Sequence, residues 1–186
     1  MVKQTAQDRY RVQRWMNVCP TEYQRTDRRK LPKPARERMA DILKWKPTKT
    51  GLILAGPTGA GKSRLAWLLA RQLYFDGLGV VAFTALQFEH ACAVQFGAGD
   101  GERWVYDLTQ TELLFLDDFG KGRFTDRTEA ELFGIVETRT SWNRPILITT
   151  NLTGKQLAQQ AQRADRGAAL ARRLREFCDV VVIPGA

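Results

Sequence analysis

The run Gly56-Pro57-Thr58-Gly59-Ala60-Gly61-Lys62-Ser63 fits the pattern G-x-x-x-x-G-K-[ST] and sits between the two elements that this pattern needs. Leu52-Ile53-Leu54-Ala55 before it is an apolar run of strand length. After it, Leu65, Leu68, Leu69 and Leu73 recur at helical spacing, which predicts a helix from Lys62 to Phe75. Glycines let successive backbone N–H groups close around phosphate oxygens, and the helix N-terminus adds the positive end of its dipole. Lys62 is then placed to reach the β- and γ-phosphates, and the Ser63 hydroxyl to ligate Mg²⁺. A glycine-rich turn that binds nothing is the alternative, and correct strand and helix placement argues against it. The eight residues from Gly56 to Ser63 read as a nucleoside triphosphate site.

A chain of 186 residues with 44% apolar and 26% charged side chains suits one globular domain with a sizeable core. Its formal net charge of +9 suggests a polyanionic partner, although charge that only aids solubility gives the same number. Residues 1–15 are polar and lack a signal-peptide core, and no apolar run approaches a membrane span, so a cytoplasmic protein without membrane contact is expected. Cys19, Cys92 and Cys178 are too widely spaced for a disulfide framework or a zinc site; Cys92 and Cys178 read as core.

Residues 1–17 form a short basic segment, with a helix expected near Asp8 to Asn17, and 18–186 form the main domain. Ala35, Met39, Ile42 and Leu43 mark a helix that ends before Pro47. Strands and helices then alternate. Strands are expected at Leu52–Ala55, Val80–Phe83, Leu113–Leu116, Ile146–Thr149 and Val180–Ile183. Helices are expected at Leu86–Phe96, Glu129–Ser141, about 154–163 and 167–177, and the glycine-rich stretch 97–101 reads as a flexible loop. This alternation predicts a parallel sheet covered on both faces.

The third strand ends in Asp117-Asp118, which delivers acids to the ligand-binding edge of the sheet, as a Walker B strand does. Asp117 is the expected metal-side acid, and Asp118 the group that polarises the attacking water. The fourth strand ends in Thr149-Thr150-Asn151. If that strand lies between the first and third, Asn151 falls beside the γ-phosphate, where it can orient water or sense hydrolysis. Taken alone, Asn151 is also an ordinary turn residue.

In this order the motifs resemble the AAA+ ATPases, and more narrowly the DnaC/IstB-like branch of helicase loaders and transposition helpers. The likeness runs from about Val18 to Ile183. It is carried by Gly56 to Ser63 continued by Arg64-Leu65-Ala66, by Leu113-Leu114-Phe115-Leu116-Asp117-Asp118-Phe119-Gly120, and by Pro145 to Leu152. The segment Cys19-Pro20-Thr21-Glu22-Tyr23 is similar to the proline-aromatic lead-in of this branch. The resemblance implies an α/β P-loop NTPase with an AAA+ core, a five-stranded parallel sheet between helices and no C-terminal lid domain. It also implies ATP and Mg²⁺ as cofactors, Tyr23 near the adenine, Arg64 in the nucleotide site, and assembly of identical subunits side by side. An arginine from a neighbouring subunit would then reach the γ-phosphate; Arg173 matches best, with Arg172 and Arg166 as alternatives. Asp118 stands where many relatives carry Glu, so slow hydrolysis is expected, stimulated by oligomerisation or DNA.

The resemblance further implies DNA as a partner, single-stranded DNA favoured. Contacts are expected from Lys121, Arg123, Arg127 and residues of the 85–103 region, with Phe124 able to stack on a base. Phe119 reads as core and His90 as a packed side chain, while Trp104 and Tyr106 fit either core or contact. Three readings of function compete. The chain is a DnaC-like loader of a replicative helicase, of compact and phage-like type; an IstB-like helper of a transposase; or a P-loop kinase acting on a small molecule. The kinase reading leaves Asp117-Asp118 and Asn151 unexplained.

Overall fold

The computed structural model describes residues 6–120, 124–152, 155–156 and 164–185. In chain order the elements are α1 (Ala6–Val18), α2 (Thr21–Gln24), a 3-10 turn (Arg28–Lys30), α3 (Lys33–Ile42), β1 (Gly51–Ala55), α4 (Lys62–Phe75) and β2 (Val80–Thr84). There follow α5 (Ala85–Ala98), α6 (Gly101–Gln110), β3 (Leu113–Phe119), α7 (Asp126–Ser141), β4 (Ile146–Thr150), α8 (Ala164–Phe177) and β5 (Cys178–Val182). The five strands pair in parallel in the order β2-β3-β4-β1-β5. β4 therefore lies between β1 and β3, the arrangement on which the expected position of Asn151 depends. Most of the expected 154–163 helix lies outside the described residues.

Side chains alternate along each strand, so the sheet divides the core in two. Leu52, Leu54, Phe115 and Leu147 face α1, α3 and α4; Ile53, Leu114, Leu116, Ile146 and Ile148 face α5 to α8. The parallel strands are apolar on both faces because helices cover both.

Besides shifts of a few residues at element ends, as at β5 and α7, two features depart from the sequence expectation. The expected loop at 97–101 is mostly helix. Gly99 takes φ 87° and ends α5, and α6 begins two residues later. A Cβ on Gly101 would overlap the Phe96 ring, so that glycine serves close packing rather than flexibility. Trp104, Val105 and Leu108 form the inward face of α6. The second departure is β3, which continues past Leu116 to Phe119 through an irregularity in its pairing with β4.

Arg139 on α7 is fully buried. Its guanidinium donates to the carbonyls of Leu108 (2.7 Å), Thr111 (2.8 Å) and Pro145 (2.6 Å), tying the end of α6 to the entries of β3 and β4. Burial pulls its pKa down to about 10. At the other face α1 docks on the P-loop helix. Trp15 is buried edge-on to Trp67, and Arg11 donates to the carbonyls of Tyr74 and Phe75 at the α4 C-terminus. Among the described residues no helix is long and apolar enough to cross a membrane.

Candidate nucleotide site

The loop between β1 and α4 depends on its glycines. Gly56 has φ 146°, and a Cβ there would overlap the Ile183 carbonyl; Gly61 has φ 90°, and a Cβ would come within 2.7 Å of Pro32 Cδ. Gly59 has φ 82° and faces open space, leaving its backbone accessible to an anion. Lys62 opens α4 and is buried. Its ammonium donates to the Pro57 carbonyl (2.9 Å) and to Asn151 Oδ1 (2.5 Å). The Asn151 amide nitrogen donates to Thr58 Oγ1 at 3.2 Å, so one side chain at the tip of β4 bridges both ends of the glycine loop. Burial lowers the Lys62 pKa, and the nearby Asp118 and Asp117 carboxylates oppose that shift.

The two acids occupy different environments. Asp117 is 2% exposed. Its Oδ1 accepts from Thr149 Oγ1 (2.6 Å) and from the Asp118 amide (3.2 Å), and its Oδ2 accepts from the Trp67 indole N–H (2.8 Å). Asp118 takes a left-handed φ of 55°, its amide also accepted by Thr149 Oγ1 at 2.9 Å. The turn sends the two carboxylates apart: Asp118 lines the cavity above the glycine loop, while Asp117 sits behind it. That cavity is about 410 Å³ and brings Asp118 and Asn151 together with Thr58, Lys62, Ser63 and Arg64.

Tyr23 forms the opposite wall. Its ring stacks on Trp67 at 6.0 Å, and the Arg64 guanidinium lies 5.6 Å over its ring. Arg64 also donates to Thr26 Oγ1 (3.3 Å). Burial pushes the Tyr23 hydroxyl up to about 12, helped by the Asp117 and Glu22 charges and opposed by a hydrogen bond with Ser63. Lys30 and Pro32 also line the cavity and were not among the residues read from sequence. Trp67 and Thr149, which hold Asp117, were missed as well; both sit in apolar elements where a polar role has no periodic signature.

The oxygen donors of Ser63 and the more deeply set Asp117 suit a hard divalent cation. Among the described residues no cluster of His, Cys, Asp or Glu could hold a metal by itself.

The remaining expected residues lie elsewhere. Arg173 pairs with Glu137 of α7 and does not line this cavity; Arg172 is exposed on α8, and the Arg166 side chain lies outside the described residues. Lys121 and Arg123 also lie outside them. Arg127 stacks over the Phe96 ring at 4.6 Å. Phe119 is buried as expected. Phe124 is half-buried between Phe88 and Phe119 rather than presented as a platform. Trp104 packs on Phe88 while Tyr106 is exposed, and His90 is exposed rather than packed.

The glycine loop, buried lysine, acidic strand tip and intervening β4 define a P-loop NTPase with an AAA+ core. More narrowly, the chain belongs to the family of IstB-like ATP binding proteins, whose sequence pattern matches residues 9–186. It is 32% identical over 104 residues to the uncharacterized protein YdaV of Escherichia coli strain K12, covering 55% of this chain and 42% of that protein. It is 25% identical over 108 residues to the putative ATP-binding protein of insertion sequence IS1162 from Pseudomonas fluorescens, covering 58% and 46%. The chain thus spans less than half the length of these curated relatives. In fold it is similar to the DnaC helicase loader (TM-score 0.68, 20% identity, 91% of this chain and 98% of that one). It is also similar to the replication initiator DnaA bound to AMPPCP and single-stranded DNA (TM-score 0.68, 20% identity, 92% and 50%).

Proposed function

We propose that this chain is a Mg²⁺-dependent ATPase that assembles on DNA in its ATP state and delivers a replicative helicase to single-stranded DNA. The observation that carries the ATPase reading is the Lys62–Asn151–Thr58 bridge, with Asp118 lining the same cavity. A γ-phosphate is a stronger partner for the Lys62 ammonium than a neutral amide. Occupancy of the loop therefore frees Asn151, and the tip of β4 registers which nucleotide is bound.

Each residue has a stated part. Backbone N–H groups from Gly59 to Ser63 hold phosphate oxygens, and Lys62 reaches the β- and γ-phosphates. Ser63 and Asp117 would hold a divalent cation, Asp117 through water, and that cation would supply charge neutralisation at the phosphates. Asp118 accepts a proton from the attacking water, and Asn151 orients that water. Tyr23 and Arg64 flank the nucleotide base. Arg173, released from Glu137, acts on the neighbouring subunit's γ-phosphate, so hydrolysis depends on assembly and is slow in isolated subunits.

The insertion-sequence relative and the family favour a second reading, in which the same ATPase assembles on duplex DNA and assists a transposase. The IstB-like family supports these two readings over the kinase reading. The experiment is a titration of labelled single-stranded and duplex DNA with ATP and with ADP at several salt concentrations. Single-strand binding strengthened by ATP is expected, with a salt slope near −0.7 per phosphate contacted. Preference for duplex would transfer support to the transposase helper, and no binding at low salt with ATP would remove DNA from the account.

A further inference from the structure

We propose that the open edge of β2 is a docking groove for an extended segment of a partner protein, alternating acidic and apolar residues, that adds to the sheet as a further strand. This rests on the fold alone and is independent of the nucleotide reading.

Among the described residues β2 lies at one end of the sheet and pairs with no strand but β3. The Gly79 carbonyl accepts from the Leu113 amide at 3.0 Å. In a parallel ladder alternate residues turn their backbone groups to the same side. Val81 and Phe83 therefore face β3, and Val80 and Ala82 turn their N–H and C=O groups outward. The next outward amide, Thr84 N–H, donates to Gln87 Oε1 at 2.9 Å in the capping box of α5, which closes the edge at that end. What remains is a short row of strand-pairing groups, the element that recruits an added strand.

The walls make this edge a groove of about 620 Å³. On one face of the sheet stands the end of α1, with Arg14 and Val18; on the other stands the start of α5, with Leu86 and His90. Leu86 is 75% exposed and Val18 36%, and with the strand they give the groove apolar surface between the polar side chains of Arg14, Asn17, Gln87 and His90. An added strand would point alternate side chains at the two walls. Residues facing α1 meet Arg14, and residues facing α5 meet Leu86. The occupant consequently alternates acidic and apolar side chains.

Charge selects polypeptide over nucleic acid. The chain carries +9, yet α5 contains neither Lys nor Arg, and Arg14 and His90 are the titratable groups of the lining. A DNA strand would find a single arginine in the lining, whereas an acidic peptide needs only that one cation. A second copy fits less well. Its other sheet edge, β5, has α8 packed beside it, and a walled groove admits a lone strand more readily than a sheet edge with its own helix.

The test uses the full chain. Amide exchange followed by NMR is expected to be fast at Val80 and Ala82 and slow at Val81 and Phe83. A fluorescein-labelled eight-residue peptide alternating Glu and Val should bind and slow exchange at Val80 and Ala82, and its Lys–Val counterpart should not. Ala82→Pro, tolerated on an edge whose N–H points outward, and Arg14→Glu should each weaken binding by about tenfold, while Leu86→Glu repels the acidic peptide. None of these residues lines the nucleotide cavity, so ATP affinity should be unchanged. Slow Val80 and Ala82 amides in the free protein would overturn the proposal. So would binding that ignores peptide charge and all three substitutions. Concentration-dependent self-association of the free chain that Ala82→Pro abolishes would also overturn it, assigning the groove to a second copy.

Discussion

Lys62 Nζ lies 2.5 Å from Asn151 Oδ1, so the tip of β4 and the lysine of the glycine loop are joined directly. Breaking the two sides of this contact should have different results. Lys62→Ala removes the P-loop cation and should abolish tight binding of a fluorescent ATP analogue. Asn151→Ala should bind within a few-fold of the parent and turn over about 10²-fold more slowly, because only water positioning is lost. Unchanged affinity in Lys62→Ala would mean the nucleotide site is misassigned.

Arg173 pairs with Glu137 in the isolated chain, away from the cavity of its own subunit. If it acts in trans, Arg173→Ala should bind ATP normally and hydrolyse it far more slowly. Arginine fingers are commonly worth about 10³–10⁵ in rate, less in a slow enzyme. Mixing Arg173→Ala with Lys62→Ala should restore activity, since some mixed interfaces pair an intact loop with an intact arginine. Absence of rescue, with specific activity independent of protein concentration, would remove Arg173 from the site.

Arg139→Met should destabilise the fold by about 3 kcal/mol or more, because the carbonyls of Leu108, Thr111 and Pro145 lose their donor in a buried setting. Arg139→Lys should recover only part of this, since an ammonium lacks the planar fork. Urea unfolding measures both. A loss below about 0.5 kcal/mol for Arg139→Met would show that these bonds contribute little net stability.

Burial pushes the thiols of Cys19 and Cys178 up to about 12 and raises that of Cys92. The folded protein thus holds these protons where the unfolded chain releases them. Stability is undiminished by them below pH 9, the unfolded value, and falls as pH rises toward 12. Tyr23 adds to the same alkaline loss between its ordinary 10 and about 12. At pH 8 a thiol-reactive disulfide should label none of the three cysteines in the native state and all three in denaturant. Rapid native labelling of any one would contradict the buried placement.

The fold and the centre of the site were legible because their signals are local. A glycine loop between an apolar strand and a helix, then acids and an amide at strand tips, place the candidate site at one edge of a parallel sheet. Different parts for the two acids were read from sequence, but how the fold separates them was not. That separation depends on the left-handed turn at Asp118 and on Trp67 and Thr149 reaching Asp117 from other elements, contacts that carry no spacing in the sequence. α6 was missed because Gly97, Gly99 and Gly101 read as flexibility. Gly99 instead caps α5, and Gly101 makes room for Phe96. Arg139 resembles any surface arginine of an amphipathic helix until tertiary packing encloses it.

The most direct measurement is ATP binding and steady-state hydrolysis by Asp118→Asn beside the parent, with Mg²⁺ and with single-stranded DNA present. Asp118 is the acid that lines the phosphate cavity, and an amide keeps its shape without accepting a proton. The expected result is unchanged ATP affinity, with parent turnover reduced by at least about 10²-fold in the variant. A variant that hydrolyses ATP at the parent rate, or a parent that binds ATP and never turns it over under these conditions, would contradict the assignment of this cavity as an ATPase site.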